Sequence, residues 1–512
     1  MCIFSLLLTY NKQTRKFYLF LFMQKILLTA CLLFSCYCSS FAQNFEYNAN
    51  CKQAYQAIFK LKLAEGIQIL EKEKKENPKN YLPYFIENYA DFLKLYVNDN
   101  EKLYNAIEPK VSVRLDKLKN GNTNSPYYLY TQADIHLQWA FCKIKFGEYL
   151  SAVFEVKKAY SMLLENQKKY PDFKPNVKSL GLLHTIFGAV PDKYKFGAKL
   201  LGLKGSIEQG LKELNTVMKD DNFQFKEETV IMYTLLLLHL QKDKTSAWSM
   251  IDNTNIPLGD NLLNHFVTAT VADHTGKNEK MISVLSSRPG GTEYYPFPFL
   301  DFMLGYAKLN RLDTDADVYI KKFLTINKGR SYQKEAYRKL AWYYLINGDA
   351  NSYKKYMQQI LQIKEAPTDE DKSAQKEAEQ NFIPHKELLK ARVLSDGSYF
   401  DKALAIVNAI QPEKLNRTRD KIEYYYRKAR ILDEMKNDAD AVKFYLLTIQ
   451  KGEAYNYYFT ANACIKVANI FERQNKNANA IQYYKKAIAV EKDEYANSIE
   501  AEAKAGLNRL GN

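Results

Sequence analysis

The chain has 512 residues, more than one compact core usually holds, so several domains or a repeat array is expected. Only 20 glycines and 14 prolines interrupt it, and apolar residues recur at i, i+3, i+4 and i+7 nearly throughout, with no run of alternating strands; both features predict an all-α array. A formal charge of +15 selects acidic protein segments, acidic glycans or an anionic membrane surface as partners, and no nucleic-acid-binding module is present.

Residues 1–42 read as an export signal. Lys25 is the only charge between 17 and 38, Ile26–Phe34 forms an apolar core, and Ser40-Phe41-Ala42 puts small residues at the −3 and −1 positions of a signal-peptidase site. Met23 suits a start codon, because the residues before it add a redundant basic-apolar stretch. Cleavage after Ala42 or Gln43 removes Lys12, Arg15, Lys16 and Lys25 with no acid, leaving a mature charge of +11. Two other fates compete. Residues 17–38 just reach the roughly 20 residues that span a bilayer, and Leu33-Phe34-Ser35-Cys36 is a lipobox-like run, imperfect at Phe34, that would acylate Cys36. Outside this segment only Cys51, Cys142 and Cys464 remain. An odd set without CxxC or Cys/His spacing predicts neither a disulfide framework nor a metal site.

From 43 to 285 the helical pattern is divergent. LAEGIQILEKEKKENP places Gly66, Leu70 and Pro78 as the small residue, apolar contact and terminator of one unit, and Gly147, Tyr149, Ala152 and Ala159 mark another. Residues 119–126 are a turn-rich break. Residues 180–214 carry six glycines and Pro191, which predicts short helices that cross closely. The glycine-, proline- and aromatic-rich stretch 286–299 reads as a linker loop.

The period is clearest over 300–496. Gly305, Ala316, Ile320 and Phe323 form one unit; Leu340, Ala341, Tyr344, Gly348, Tyr353 and Met357 form the next. Ala403, Val407 and Ile410 follow, then Ala429, Ala441 and Tyr445, then Ala468, Phe471, Ala480, Tyr484 and Ala487. Small residues at these offsets let antiparallel helices approach while aromatics fill the gaps. This pattern resembles the tetratricopeptide repeat (TPR), a helix-turn-helix unit of about 34 residues. The resemblance implies a right-handed superhelical solenoid of antiparallel helix pairs. Tyr353 and Ala403 are separated by one such period plus the length of the charged stretch 365–380, so that stretch is an insertion between repeats. Its acids, Asp369-Glu370-Asp371 among them, are expected to be solvated. A last helix near 497–510 would cap the array. From about 285 onward the chain resembles exported Bacteroidota TPR proteins, as in YPFPFLDFMLGYAKLNRLD and KEAYRKLAWYYLINGD.

In this family the first helix of each pair lines a concave groove. Carried over, the groove receives Arg338, Lys339 and Trp342, then His385, Leu388 and Arg392. Glu423, Tyr426, Arg427 and Arg430 follow, then Asn462, Lys466, Asn469 and Arg473. Its basic and aromatic character implies an acidic protein segment as partner. The family's terminal-carboxylate clamp is not matched, since Ile465 stands where a lysine is needed before Asn469.

Motifs for catalysis and cofactors are missing. Gly205–Gly210 is spaced like a phosphate loop, but Leu211 takes the place of the lysine. The six histidines are scattered, and neither HExxH nor GxSxG occurs. The chain therefore reads as an exported, non-catalytic scaffold. A glycan-binding envelope lipoprotein is the alternative, and an enzyme would have its site near 180–214. The intact mass of the envelope-purified chain decides its processing: a species beginning at Gln43 or Asn44 is expected, whereas a diacylglyceryl-modified chain beginning at Cys36 would establish the lipoprotein.

Overall fold

The computed structural model describes residues 45–253, 256–492 and 495–511. The export signal and Cys36 lie outside the described residues. Among those described every regular element is helical, and most consecutive helices pack against one another. The described residues form an all-α array of helices packed in succession.

The array opens with α1 (Ala49–Phe59) against α2 (Leu63–Glu76), then α3 (Leu82–Val97) and α4 (Glu101–Lys119). The Asn48 and Asn100 side chains cap α1 and α4 by accepting the backbone N–H of Cys51 and Leu103, donors that a helix start leaves unpaired. The longest pair is α5 (Pro126–Lys145) with α6 (Tyr149–Lys169). Ala152 and Ala159 of α6 are buried, and Tyr149, at its first position, is 67% exposed.

The glycine-rich segment forms α7 (Lys174–Gly188), α8 (Asp192–Leu200) and α9 (Ile207–Met218). As expected, Gly181, Gly188, Gly205 and Gly210 sit where backbones approach closely, whereas Gly197 and Gly202 face open space. A Cβ on Gly210 would run into the Gly181 carbonyl oxygen and the Thr185 amide, and one on Gly205 into the His184 backbone. The phosphate-loop spacing is thus explained by helix packing. Next come α10 (Lys226–Leu236), prolonged by a π turn at Leu237–Gln241, and α11 (Lys244–Asn253). The pair α12 (Leu262–His274) and α13 (Asn278–Ser286) precedes the 286–299 loop.

Beyond the loop lie α14 (Phe299–Arg311) with α15 (Ala316–Ile326), and α16 (Gln333–Ile346) with α17 (Ala350–Gln362). A separate helix, α18 (Asp369–Glu379), occupies the insertion. Then follow α19 (Lys386–Asp396) with α20 (Phe400–Ala409), α21 (Thr418–Glu434) with α22 (Asp438–Gly452), and α23 (Tyr458–Arg473) with α24 (Asn477–Ala489). The last helix, α25 (Ala496–Arg509), lies on α23 and α24.

A shared device ends the first helix of most pairs, a left-handed residue that reverses the chain. Gly147, Gly276 and Gly348 hold it without cost, whereas Leu312, Ser398, Lys436 and Asn475 adopt positive φ at about 1–2 kcal/mol each. The array also coils back on itself. Asn100 Nδ2 donates to the Lys328 carbonyl at 3.0 Å, Asp99 accepts the Ser331 amide at 3.2 Å, and Arg330 Nη2 donates to the Lys145 carbonyl at 2.9 Å. The loop before α16 is therefore fixed against the ends of α3 and α5.

Gly210→Ala is expected to lower stability by roughly 1–3 kcal/mol through overpacking. Gly197→Ala, where a Cβ meets nothing within 4 Å, should be neutral or gain up to about 1 kcal/mol of helix propensity. Chemical denaturation of the two variants checks the contrast.

Candidate partner-binding face

The site grows from α16. Ala336, Leu340, Ala341 and Leu345 bury one side of this helix in the array, and the rest of its stripe carries Arg338 and Trp342 toward α18 and α19. Trp342 is 1% exposed. Three cations surround its indole, with Lys339 Nζ at 4.4 Å, the Arg392 guanidinium at 4.4 Å and that of Arg338 at 5.0 Å from the ring centroid. Such contacts are worth about 2 kcal/mol or more when shielded from water. The sequence-derived groove residues Arg338, Trp342 and Arg392 thus converge, although α19 lies some fifty residues beyond α16.

What shields them is α18. Glu377 accepts the Trp342 Nε1–H at 2.7 Å and lies 3.5 Å from Arg338 Nη1, which also donates to Ser373 Oγ at 2.8 Å. Arg338 pairs in addition with Glu335 at 2.5 Å. Asp371 accepts the backbone amides of Tyr332 at 2.8 Å and Glu335 at 3.1 Å. Tyr332 has positive φ and makes no side-chain cap, so the carboxylate of α18 satisfies the start of α16 from outside. Lys334, 2% exposed, donates to the carbonyls of Ile360 at 3.0 Å and Ile363 at 2.5 Å and to Gln375. Burial pulls its ammonium below the usual lysine range.

The charged insertion is therefore not solvated along its length. Asp369 and Glu370 are exposed, but Asp371, Ala374 and Ala378 form a buried i, i+3, i+7 stripe. Two alanines among eight charges and amides are too faint a periodic signal to mark a buried side from sequence.

The remaining groove residues are distributed differently. Tyr426 is 2% exposed and packs against Tyr445, Tyr458 and Phe459 as core. Its neighbour Glu423 accepts from Arg427 Nε at 3.0 Å and Nη2 at 2.8 Å. Burial opposes that carboxylate, but Arg427 and Arg419 outweigh it and hold Glu423 below its ordinary range. Arg430 lines a cavity of about 780 Å³ with Lys244, Trp248, Asp273, Lys277 and Asp396. Within it Lys277 Nζ sits 4.5 Å from the Trp248 ring centroid, and Tyr306 donates to Asp273 Oδ2 at 2.8 Å. Burial pushes the Asp273 carboxyl up. This cavity joins helices far apart in the chain, and no spacing in the sequence marked it.

Farther along, Asn462 is half-buried on α23. Lys466 lies 3.8 Å from Glu502 of α25, and Asn469 Nδ2 donates to the same carboxylate at 3.2 Å while accepting from Tyr484 at 2.5 Å. Arg473 bridges Asp433 at 2.9 Å and Asp438 at 2.8 Å, tying α23 to the preceding pair. Leu388 is core, and the half-buried His385 precedes α19. Among the described residues no three His, Cys, Asp or Glu side chains are grouped to hold a metal ion, and Cys51, Cys142 and Cys464 are buried and free. In the 180–214 segment, His184 Nδ1 lies 2.6 Å from Glu213 and 3.0 Å from Gln209, a polar contact between the crossing helices α7 and α9.

No protein-family model matches this chain, and no curated protein matches it. Among solved structures, the crystal structure of yeast Tom70 is similar at 15% identity and a TM-score of 0.23, covering 90% of this chain and 96% of that one. The APC/C hetero-tetramer Cut9-Hcn1 is similar at 12% identity and a TM-score of 0.22, covering 91% and 100%.

Trp342→Phe keeps the ring but removes the donor that Glu377 uses. A loss of about 1–3 kcal/mol is expected, the cost of leaving a charged acceptor short of a partner. Hydrogen exchange of residues 369–379 should accelerate with it.

Proposed function

We propose that this chain is an exported, non-catalytic scaffold whose inner face on α16 and α19 holds an acidic helical segment of a protein partner. One observation carries the reading. The chain's own acidic helix α18 already lies on that face, with Glu377 against Trp342 and Arg338. The side chains there suit this ligand class: Arg offers paired donors to a carboxylate, and the indole offers a rigid surface with one N–H. Export is supported by the pattern of residues 1–42 and by nothing structural. A cell-envelope location follows from it within this proposal.

Glycan binding is the weaker reading. Trp342 and Tyr426, the aromatics assigned to the groove, are buried and present no open ring for a sugar to stack on.

The test is crosslinking in native envelopes with the mature chain, comparing wild type with a Lys339→Gln/Arg392→Gln double variant. The yield of the crosslinked partner is expected to fall at least tenfold at unchanged helicity, and the crosslinked peptide should map to an acidic helix. An equal yield from the double variant would reject this face.

A further inference from the structure

Compared with the paired helices around it, α18 is attached by a different kind of bond. Its buried apolar contribution is two methyl groups, Ala374 and Ala378, set against Tyr353, Met357 and Ile360 of α17 and Trp342 of α16. The paired helices bury leucine, isoleucine and aromatic rings instead. Everything else that holds α18 is polar: Asp371 on the amides of α16, Ser373 and Glu377 on Arg338, Gln375 on Lys334, Glu377 on Trp342. Water or another carboxylate can replace each of these groups. Apolar contacts have no such substitute, so burial of this size anchors a helix weakly.

The connections on either side permit movement. Residues 363–368 join α17 to α18 and 380–385 join α18 to α19. Each linker reaches about 20 Å when extended, at 3.3–3.6 Å per residue. Polar contacts hold both, Arg330 lying 3.6 Å from Glu365 in the first, and Tyr353 and Arg417 donating to the Phe382 and Ile383 carbonyls at 2.9 Å in the second.

Through the same Ser373 hydroxyl α18 also touches the end of the array. Ser373 Oγ lies 2.8 Å from the Tyr495 hydroxyl, across 122 residues of sequence. Tyr495 precedes α25 and meets the Tyr458 ring edge-on at a centroid distance of 5.0 Å. A single short helix therefore bridges α16 to the start of the last helix.

We infer that α18 is a displaceable strap, the resident occupant of the partner face, and that an acidic helix from a partner competes with it and on binding unties α16 from α25. This rests on the reading that the face takes acidic helices. In the strapped state the face is closed to weak or non-helical acids, because a ligand has to replace the whole set of contacts from Asp371 to Glu377. In the released state Trp342, Arg338 and Arg392 become accessible together. The strap thus sets an affinity threshold and links occupancy of the middle repeats to the position of the C-terminal helix.

The experiment uses the mature chain and a fluorescent peptide of residues 365–383. Hydrogen exchange is followed over 369–379 and over Gln333–Ile346 in wild type. Peptide binding is compared between wild type and a chain whose residues 369–379 are replaced by a Gly/Ser segment of equal length. Exchange at least tenfold faster in 369–379 than in α16, with peptide binding at least tenfold tighter to the replaced chain, is expected. Equal protection of α18 and α16 would overturn displacement while leaving the preference of the face for acidic helices intact. A replaced chain of native helicity that fails to bind the peptide would overturn that preference as well. If the replaced chain aggregates, Ser373→Ala/Glu377→Gln in the full-length chain takes its place. Tenfold faster exchange of 369–379 then supports the strap, and unchanged exchange overturns it.

Discussion

Close approach of paired helix backbones is the constraint on which the whole array depends. At Gly305 an added Cβ would sit 2.5 Å from Ile320 Cγ1 and 3.0 Å from its amide, so the α14–α15 pair exists at its present spacing only with glycine there. Gly66 plays the same part beneath Ile58, and Ala403, Ala441, Ala468 and Ala480, all fully buried, hold the corresponding positions farther on. Small residues at the crossing bring large ones on either side into contact, which is how Phe323, Tyr445 and Tyr484 become core. Each pair in turn presents an apolar side to the next. Burial therefore propagates along the chain and does not converge on one center.

That geometry leaves several buried cations with a problem. Arg338, Arg392 and Arg427 project from α16, α19 and α21 into a space partly shut off from water, where an unpaired cation is costly. The array answers with acids from two sources. Glu335 and Glu423 lie one turn away on the same helices, whereas Glu377 and Asp371 come from the inserted helix. Glu423 takes two of Arg427's donors within α21, whereas the α16 cluster adds to Glu335 the side chains of a segment from outside the repeat. This asymmetry makes the α16 face the point at which a foreign acid could do the same work as a resident one.

The site was legible in the sequence in part. Arg338, Trp342 and Arg392 meet because helical register places them on the sides of α16 and α19 that face one another, and register can be counted. Tyr426 obeys the same count but lies in the core. A position of this register is buried or open according to what the next helix pair places beside it, here Tyr458 and Phe459. Lys466 and Asn469 share that register as well, but α25 lays Glu502 against them. The cavity around Arg430, Asp273 and Lys277 left no trace in the sequence, since its walls are separated by up to about two hundred residues and meet only because the array coils.

Sequence by itself determined the helix pairs, their small-residue crossings and the interruption at 365–380, since each is written in spacings shorter than two helices. Only the tertiary structure decided the fate of the inserted acids. Their partners are an indole and a guanidinium some thirty-five residues upstream, and the helix that carries them has just Asp371, Ala374 and Ala378 to indicate a buried side. Electrostatic pairing depends on distance in space and on exclusion of water, and neither has a period along the chain.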